Sequence, residues 1–95
     1  MSNEAYVGMD LDKNGGLLID AILEALREDN PRIETVDFNI YVKVKSPREM
    51  VLKRETVEEK LGRDWDINEL QVYMSSYFGF IEEWDDDHLL IRWNG

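Results

Sequence analysis

The residues with the clearest chemical pattern are Asp10, Asp12, Asn14 and Gly15, spaced as in the first half of an EF-hand calcium loop. Oxygen ligands at alternate positions suit calcium, but the twelfth position of such a loop needs a bidentate glutamate and is Ala21 here. The residues before the loop also predict a strand instead of an entering helix. We therefore keep calcium binding as an alternative and favour a strand-to-helix turn, with Asn14 as the cap of the helix.

Other residue types that catalyse reactions lack partners in the sequence. His88 is the only histidine and there is no cysteine, so no second histidine or thiolate can share a metal with it. The acidic run 82–87 reads as a solvated hairpin tip. Ser75 and Ser76 have no Gly-x-Ser-x-Gly elbow around them. We therefore expect no enzyme activity, no metal and no organic cofactor, and the pattern favours a binding protein.

Length, charge and composition limit the partners. The chain has 95 residues, 43% of them hydrophobic, which suits one domain over residues 1–95. Its 21 acidic and 11 basic residues give a net charge of −10. This charge argues against nucleic acid and anionic membranes as partners. The acids serve either solubility or steering towards a basic partner. The start, Met1 to Ala5, has no signal-peptide pattern, and without cysteines we expect a cytoplasmic protein.

The first half of the chain predicts the order strand, helix, strand, strand. A strand over 5–11 and a turn over 12–16 precede a helix that starts at Leu17 and closes at Asn30, in the left-handed position before Pro31. Residues 35–38 and 40–45 predict a pair of strands joined near Asn39. After a break at 46–49, residues 50–54 predict a further short strand.

The second half repeats much of this order. Thr56 and Glu59 form a capping box for a short helix that ends at Leu61-Gly62. Asp66 predicts the start of a third helix, whose apolar face consists of Ile67, Leu70, Met74 and Tyr77 or Phe78. Ile67, Leu70 and Met74 are expected to be buried. Strands over 79–84 and 88–93 follow, joined by Asp85-Asp86-Asp87, and the three tryptophans favour core positions. The expected fold is α+β: two β-α-β-type halves, about 5–54 and 55–95, packed as one small domain with about three helices and six to seven short strands.

The candidate binding site lies where the third helix ends, at Ser75, Ser76, Tyr77, Phe78 and Gly79. Small hydroxyl side chains beside two aromatics suit a surface that approaches another protein closely. The same residues also suit a frayed helix end with its aromatics turned into the core. From the residues alone both interpretations stay open.

The segment Leu61-Gly-Arg-Asp-Trp-Asp-Ile-Asn-Glu-Leu-Gln-Val-Tyr-Met-Ser-Ser-Tyr-Phe-Gly79 resembles a known family. It is similar to the small effector, or coupling, proteins of soluble bacterial multicomponent diiron monooxygenases. In that family a Leu-Gly-Arg and an aromatic precede a helix that ends in a small-residue pair and a glycine. The short N-terminus, the length and Glu28-Asp-Asn-Pro31 are most similar to the phenol hydroxylase activator components.

The resemblance implies a function and a partner. Such proteins hold no metal or cofactor, have no small-molecule substrate of their own and catalyse nothing alone. They dock on the diiron hydroxylase component and couple oxygen activation to substrate hydroxylation in the bacterial cytoplasm. The implied partner-binding residues are Ser75, Ser76, Tyr77, Phe78 and Gly79; this family has a small polar residue after the serine pair in its methane system, where this chain has Tyr77. A calcium-binding module and an acidic interaction inhibitor remain the alternatives.

Overall fold

The computed structural model describes residues 5–94, which form three α-helices, two 3-10 turns and seven strands. The strands are Tyr6–Asp12 (β1), Glu34–Asp37 (β2), Tyr41–Pro47 (β3), Glu49–Lys53 (β4), Met74–Phe78 (β5), Phe80–Trp84 (β6) and His88–Arg92 (β7). The helices are Leu17–Asp29 (α1), Arg54–Leu61 (α2) and Leu70–Tyr73 (α3), and the 3-10 turns are Lys13–Gly15 and Ile67–Glu69. The predicted α+β class is confirmed.

The strands form two antiparallel sheets that both cross the boundary between the two halves of the sequence. The four-stranded sheet has the order β2-β3-β1-β5, and the three-stranded sheet has the order β4-β7-β6. Strand β4 of the first half thus pairs with β7 of the second, and β5 of the second half pairs with β1 of the first. This exchange ties the two halves into one unit.

One hydrophobic core joins the sheets and the long helix. Strand β1 alternates as the sequence requires, with Val7, Met9 and Leu11 fully buried. Helix α1 buries its apolar stripe against this layer, and β4 and β7 complete it from the second sheet with Met50, Leu52, Leu89 and Ile91. Of the tryptophans predicted as core anchors, Trp65 is buried, Trp84 is half-buried and Trp93 is exposed.

Helix α1 ends at the predicted place by a different device. Asn30 has an extended backbone, φ −133°, so the predicted left-handed position is wrong. Its buried side chain donates to the carbonyls of Leu26 (2.9 Å) and Val51 (2.8 Å), and its Oδ1 accepts from the Val51 N–H (2.9 Å). The amide group thus bonds both to the end of helix α1 and to the outer edge of β4. These side-chain bonds end the helix without a residue in the left-handed conformation.

The predicted helix caps are correct in part. Asn14 does not cap α1, since the side chain of Asp12 caps the 3-10 turn instead and α1 begins after Gly16. The capping box at Thr56 is also wrong: α2 starts two residues earlier, at Arg54, and Thr56 is buried inside it. The Arg54 backbone N–H donates to the Asp87 carbonyl (2.9 Å), a tertiary bond that replaces a local cap. Gly62 does end α2 in the left-handed conformation.

The third helix is shorter than its apolar spacing predicts. Asp66 caps a 3-10 turn as expected, and Ile67 and Leu70 are fully buried. The helix stops at Tyr73, however, and Met74 is only half-buried because it begins strand β5. Pairing with β1 provides partners for the backbone groups on one side of this segment, and its aromatic residues favour a strand. The predicted helix over residues 74–78 is therefore wrong.

Expectations about Met1 to Glu4 concern residues outside the described range. Within residues 5–94, no helix has the length and apolarity that a membrane crossing requires.

Candidate functional site

Strand β5 is an edge strand without any charged residue. Its sequence is Met-Ser-Ser-Tyr-Phe, in a chain in which 34% of residues are charged. The other sheet edges of the described region carry charges, as β2 and β6 do, or are covered, as β4 is by Asn30. An exposed edge presents unpaired backbone groups, so proteins usually protect it with charges, proline or a covering element. An uncharged, uncovered edge marks this strand as a candidate binding surface.

The register with β1 assigns each side chain of β5 to a face. Ser76 lies opposite Asp10 and Phe78 opposite Gly8, on the face of the sheet away from the core. Tyr77 lies opposite the buried Met9, yet 48% of it remains exposed at the edge. The pairing shifts at Ser75, so that this residue is the extra one of a β-bulge. The predicted site is therefore a strand edge, and Ser75 and Ser76 are exposed on it.

A polar network beneath Ser76 runs across three strands. The Ser76 hydroxyl donates to Asp10 Oδ2 (2.6 Å), and Lys43 Nζ of β3 lies 3.0 Å from Asp10 Oδ1. The same ammonium group lies 4.9 Å from the centre of the Phe78 ring, within reach of a cation–π interaction. By contrast, the Ser75 hydroxyl reaches the Asp10 carbonyl only at 3.4 Å. Ser76 is held firmly, and Ser75 is held weakly.

Phe78 occupies space that only a glycine leaves open. A Cβ at Gly8 would stand 1.9 Å from the Val44 carbonyl oxygen and 2.9 Å from the Phe78 ring. The ring therefore covers the space that Gly8 leaves in β1, one of the two inner strands of the sheet. In this arrangement an aromatic side chain on the neighbouring strand replaces the packing that a glycine lacks. This contact explains why Phe78 is half-buried. One of the predicted site residues therefore has a packing role.

Gly79 is the point where the chain leaves one sheet for the other. Its φ is +111°, and a Cβ there would stand 2.7 Å from Val7 Cγ1 and 2.8 Å from Ile91 Cγ2. The backbone thus passes closely over two buried side chains, one from each sheet. Because this packing requires a glycine, the geometry gives Gly79 a structural role besides the predicted partner contact.

A second apolar surface borders the serine strand and was missed in the sequence. Phe38 and Ile40, at the β2–β3 hairpin tip, are exposed, and Phe38 stacks on Tyr41 with ring centres 4.9 Å apart. Ile40, Tyr41, Ser75 and the β1–α1 turn line one surface depression. The sequence does carry a signal for this surface, because Phe38 and Ile40 flank the turn residue Asn39. Large apolar side chains at a hairpin turn are not needed for core packing and indicate a contact surface.

An ion pair holds this hairpin tip against the β1–α1 turn. Lys13 Nζ lies 3.0 and 2.8 Å from the two carboxylate oxygens of Asp37, and the Lys13 N–H donates to the Ile40 carbonyl. The Lys13 ammonium, helped by the Asn39 N–H, lowers the pKa of the Asp37 carboxyl. The apolar tip is therefore a positioned element of the surface.

The acidic hairpin tip of β6 and β7 contains the single histidine. His88 Nε2 lies 2.8 Å from Glu83 Oε1, and Nδ1 lies 3.3 Å from Asp85 Oδ1. The hydrogen bond to Glu83 raises the pKa of His88, burial opposes it, and the charges of Asp85, Glu83 and Asp87 add to the rise. When protonated, the histidine offsets part of the negative charge of this turn.

The suspected calcium ligands have other partners. Asp10 belongs to the network with Ser76 and Lys43, and Asp12 accepts the Asn14 N–H at 2.8 Å. Within residues 5–94 no three acidic, histidine or cysteine side chains are grouped as metal ligands. The fold and the site thus define a small α+β domain with an uncharged, serine-bearing strand at a sheet edge.

Comparison with known proteins identifies the family. The profile of the MmoB/DmpM family matches residues 5–92, so the chain belongs to this family. The chain is 30% identical over 93 residues to the phenol 2-monooxygenase stimulatory component DmpM of Pseudomonas sp. (strain CF600), covering 98% of each chain. It is also 30% identical over 100 residues to the alkene monooxygenase effector subunit of Xanthobacter autotrophicus (strain ATCC BAA-1158 / Py2), covering 98% of this chain and 96% of the relative. The predicted effector family is confirmed.

Solved structures agree with this assignment. A chain from a phenol hydroxylase–regulatory protein complex superposes with a TM-score of 0.83 at 36% identity, covering 95% of this chain and 100% of that chain. The soluble methane monooxygenase regulatory protein B, at 21% identity, has a TM-score of 0.67 over 99% of this chain and 70% of its own. This second similarity shows a shared fold.

Proposed function

We propose that this chain is a non-catalytic effector of a multicomponent aromatic (phenol-type) monooxygenase. It binds the diiron hydroxylase component and couples oxygen activation to substrate hydroxylation, with no activity alone. Support comes from its relatives, which are named stimulatory, effector and regulatory components, and from a similar chain solved in a complex with phenol hydroxylase. A cytoplasmic location, which the absence of cysteine suits, is part of the proposal.

The observation that carries the proposal is the uncharged edge strand beside the apolar hairpin tip. Tyr77 on the strand and Phe38 and Ile40 at the hairpin tip are exposed large side chains. Ile40 and Ser75 line the same surface depression. Aromatic and aliphatic side chains supply most of the binding energy of protein interfaces, while small residues let the partner approach closely. Ser75, Ser76 and Tyr77 present exposed side chains to the proposed contact, while Phe78 and Gly79 shape it through their packing.

An effector changes turnover only through unequal binding to two states of its partner. If it binds the active geometry of the hydroxylase more tightly than the resting one, it shifts the population towards the active geometry. A difference of about 3 kcal/mol shifts this equilibrium more than a hundredfold. The effector therefore needs no reactive group of its own.

The test is reconstitution with the hydroxylase and its reductase. We expect no product from the chain alone, and a rise in product formed per reductant consumed when it is added, with less peroxide released. Unchanged turnover and an unchanged ratio at saturating chain would contradict the proposal.

Matched variants locate the surface. Ser75→Leu should leave the melting temperature nearly unchanged, since exposed substitutions away from hydrogen-bond networks usually cost within about 0.5 kcal/mol. Ser76→Leu should cost about 1–3 kcal/mol, because it removes the hydrogen bond to Asp10 Oδ2. Both should weaken docking or uncouple the hydroxylase. Thr35→Leu is the control, because Thr35 is an exposed hydroxyl residue on β2, the opposite edge of the same sheet. Equal effects of all three variants on docking and coupling would place the interface elsewhere.

A further inference from the structure

The hydroxyl proton of Ser76 is already committed inside the protein. An ionised carboxylate only accepts hydrogen bonds, so across the 2.6 Å contact with Asp10 Oδ2 the serine must be the donor. Contacts of this length are typical of charge-assisted O–H···O⁻ bonds. What Ser76 can offer outward is its oxygen lone pairs.

Lys43 fixes this arrangement from the other side. Its ammonium lies 3.0 Å from Asp10 Oδ1, and the Asp10 side chain is only 16% exposed. The carboxylate is thus directed between a cation on β3 and a hydroxyl on β5, along one cross-strand row. The charge of the carboxylate also polarises the Ser76 hydroxyl and makes its oxygen a stronger acceptor, because consecutive hydrogen bonds strengthen one another.

We propose that Asp10 makes Ser76 a dedicated hydrogen-bond acceptor, and that the group of the hydroxylase that meets Ser76 Oγ is a hydrogen-bond donor. This inference rests on the proposed function and deepens it by stating the chemistry of one contact. A carboxylate or a backbone carbonyl facing Ser76 is excluded. Ser75, with a weak 3.4 Å bond to a carbonyl, keeps a hydroxyl that can rotate and carries no such preference.

Replacing Asp10 by asparagine reverses the polarity of Ser76 without changing its shape. Lys43 has donors only, so the amide oxygen of the new side chain takes the position facing Lys43. The amide NH₂ then faces Ser76 and donates to Oγ. One oxygen lone pair is then occupied and the serine proton points outward, so at Ser76 a donor competes with the one acceptor position left for the donor of the partner.

The experiment measures the Kd of the hydroxylase for six forms: wild type, Ser76→Ala, Ser75→Ala, Asp10→Asn, the double variant Asp10→Asn/Ser76→Ala, and Glu24→Gln. Glu24, exposed on α1, is the control for the loss of one negative charge. Ser76→Ala should raise Kd roughly 3- to 10-fold, the worth of one hydrogen bond. Asp10→Asn should raise it more than Ser76→Ala does, and the double variant should be no weaker than Ser76→Ala.

Two results would overturn the inference while leaving the proposed function standing. One is an Asp10→Asn effect equal to that of Glu24→Gln, or additive with Ser76→Ala. The other is a structure of the wild-type complex in which a carboxylate or carbonyl oxygen lies within hydrogen-bond distance of Ser76 Oγ. The structure of the complex decides the matter even if Asp10→Asn fails to fold. Failure of the wild type to bind the hydroxylase would instead refute the proposed function.

Discussion

Substituting Gly79 separates the architectural role of this residue from a role in docking. The residue links β5 to β6 with a φ of +111°, and an added Cβ would stand 2.7 Å from Val7 Cγ1 and 2.8 Å from Ile91 Cγ2. Both neighbours are fully buried in the shared core, so neither can yield without displacing other side chains. Gly79→Ala therefore adds a strained backbone and a steric clash at once.

The magnitude follows from these two contributions. An alanine held at this φ costs about 1–3 kcal/mol, and overpacking of a filled core costs about 1–3 kcal/mol. The sum, about 2–6 kcal/mol, is a large part of the 5–15 kcal/mol by which a domain is usually stable. At about 4–8 °C per kcal/mol for a domain of this size, the melting temperature should fall by roughly 10 °C or more.

Gly62→Ala is the matched control. Gly62 also has a positive φ, +80°, but a Cβ there meets nothing within 4 Å. It should show only the backbone cost, about 1–2 kcal/mol. Urea unfolding and thermal melts of both variants test the comparison. Equal losses would refute the steric argument, and a stable Gly79→Ala protein that fails to couple the hydroxylase would make Gly79 a docking residue only.

Three further outcomes are expected. If the net charge of −10 steers docking, the association rate with the hydroxylase should fall as salt rises from about 0.05 to 0.5 M, with dissociation changing little, whereas a salt-independent association rate would leave the acids to solubility. The pKa of His88 is raised above its ordinary 6.5, so its stabilising effect is complete below that value and is lost as pH rises through the raised pKa. The free energy of unfolding should fall over this window in wild type and less in His88→Gln; identical pH profiles would contradict this. Asn30→Ala should cost about 2–4 kcal/mol in urea unfolding, because it leaves the Val51 N–H and the Val51 carbonyl without their partner, and a loss under 1 kcal/mol would show that water replaces the amide.

The sequence correctly predicts those helices and strands whose apolar spacing agrees with the turn residues on either side. Strand β1, helix α1 and the β6–β7 hairpin lie close to their expected places because apolar spacing and turn residues point to the same structure. The early start of α2 and the side-chain cap of Asn30 depend on tertiary hydrogen bonds, to Asp87 and Val51, that no local pattern encodes.

The sequence proposes residues 75–79 as the candidate site but predicts the wrong secondary structure for them. Ile67, Leu70 and Met74 have helical spacing, yet pairing of residues 74–78 with β1 ends the helix at Tyr73. The contribution of Asp10 to the site could not be inferred, because it comes from register across 66 residues of sequence. Local propensity does not determine such pairing.

The most direct test of the central claim is amide hydrogen exchange of the chain, measured free and with saturating hydroxylase. The claim is that Met74–Phe78, an exposed sheet edge, together with the β2–β3 hairpin tip, faces the partner. We predict slower exchange at residues 74–78 and 38–40 in the complex, with helix α2 unchanged. Slower exchange confined to other segments, with residues 74–78 exchanging as in the free protein, would contradict the claim.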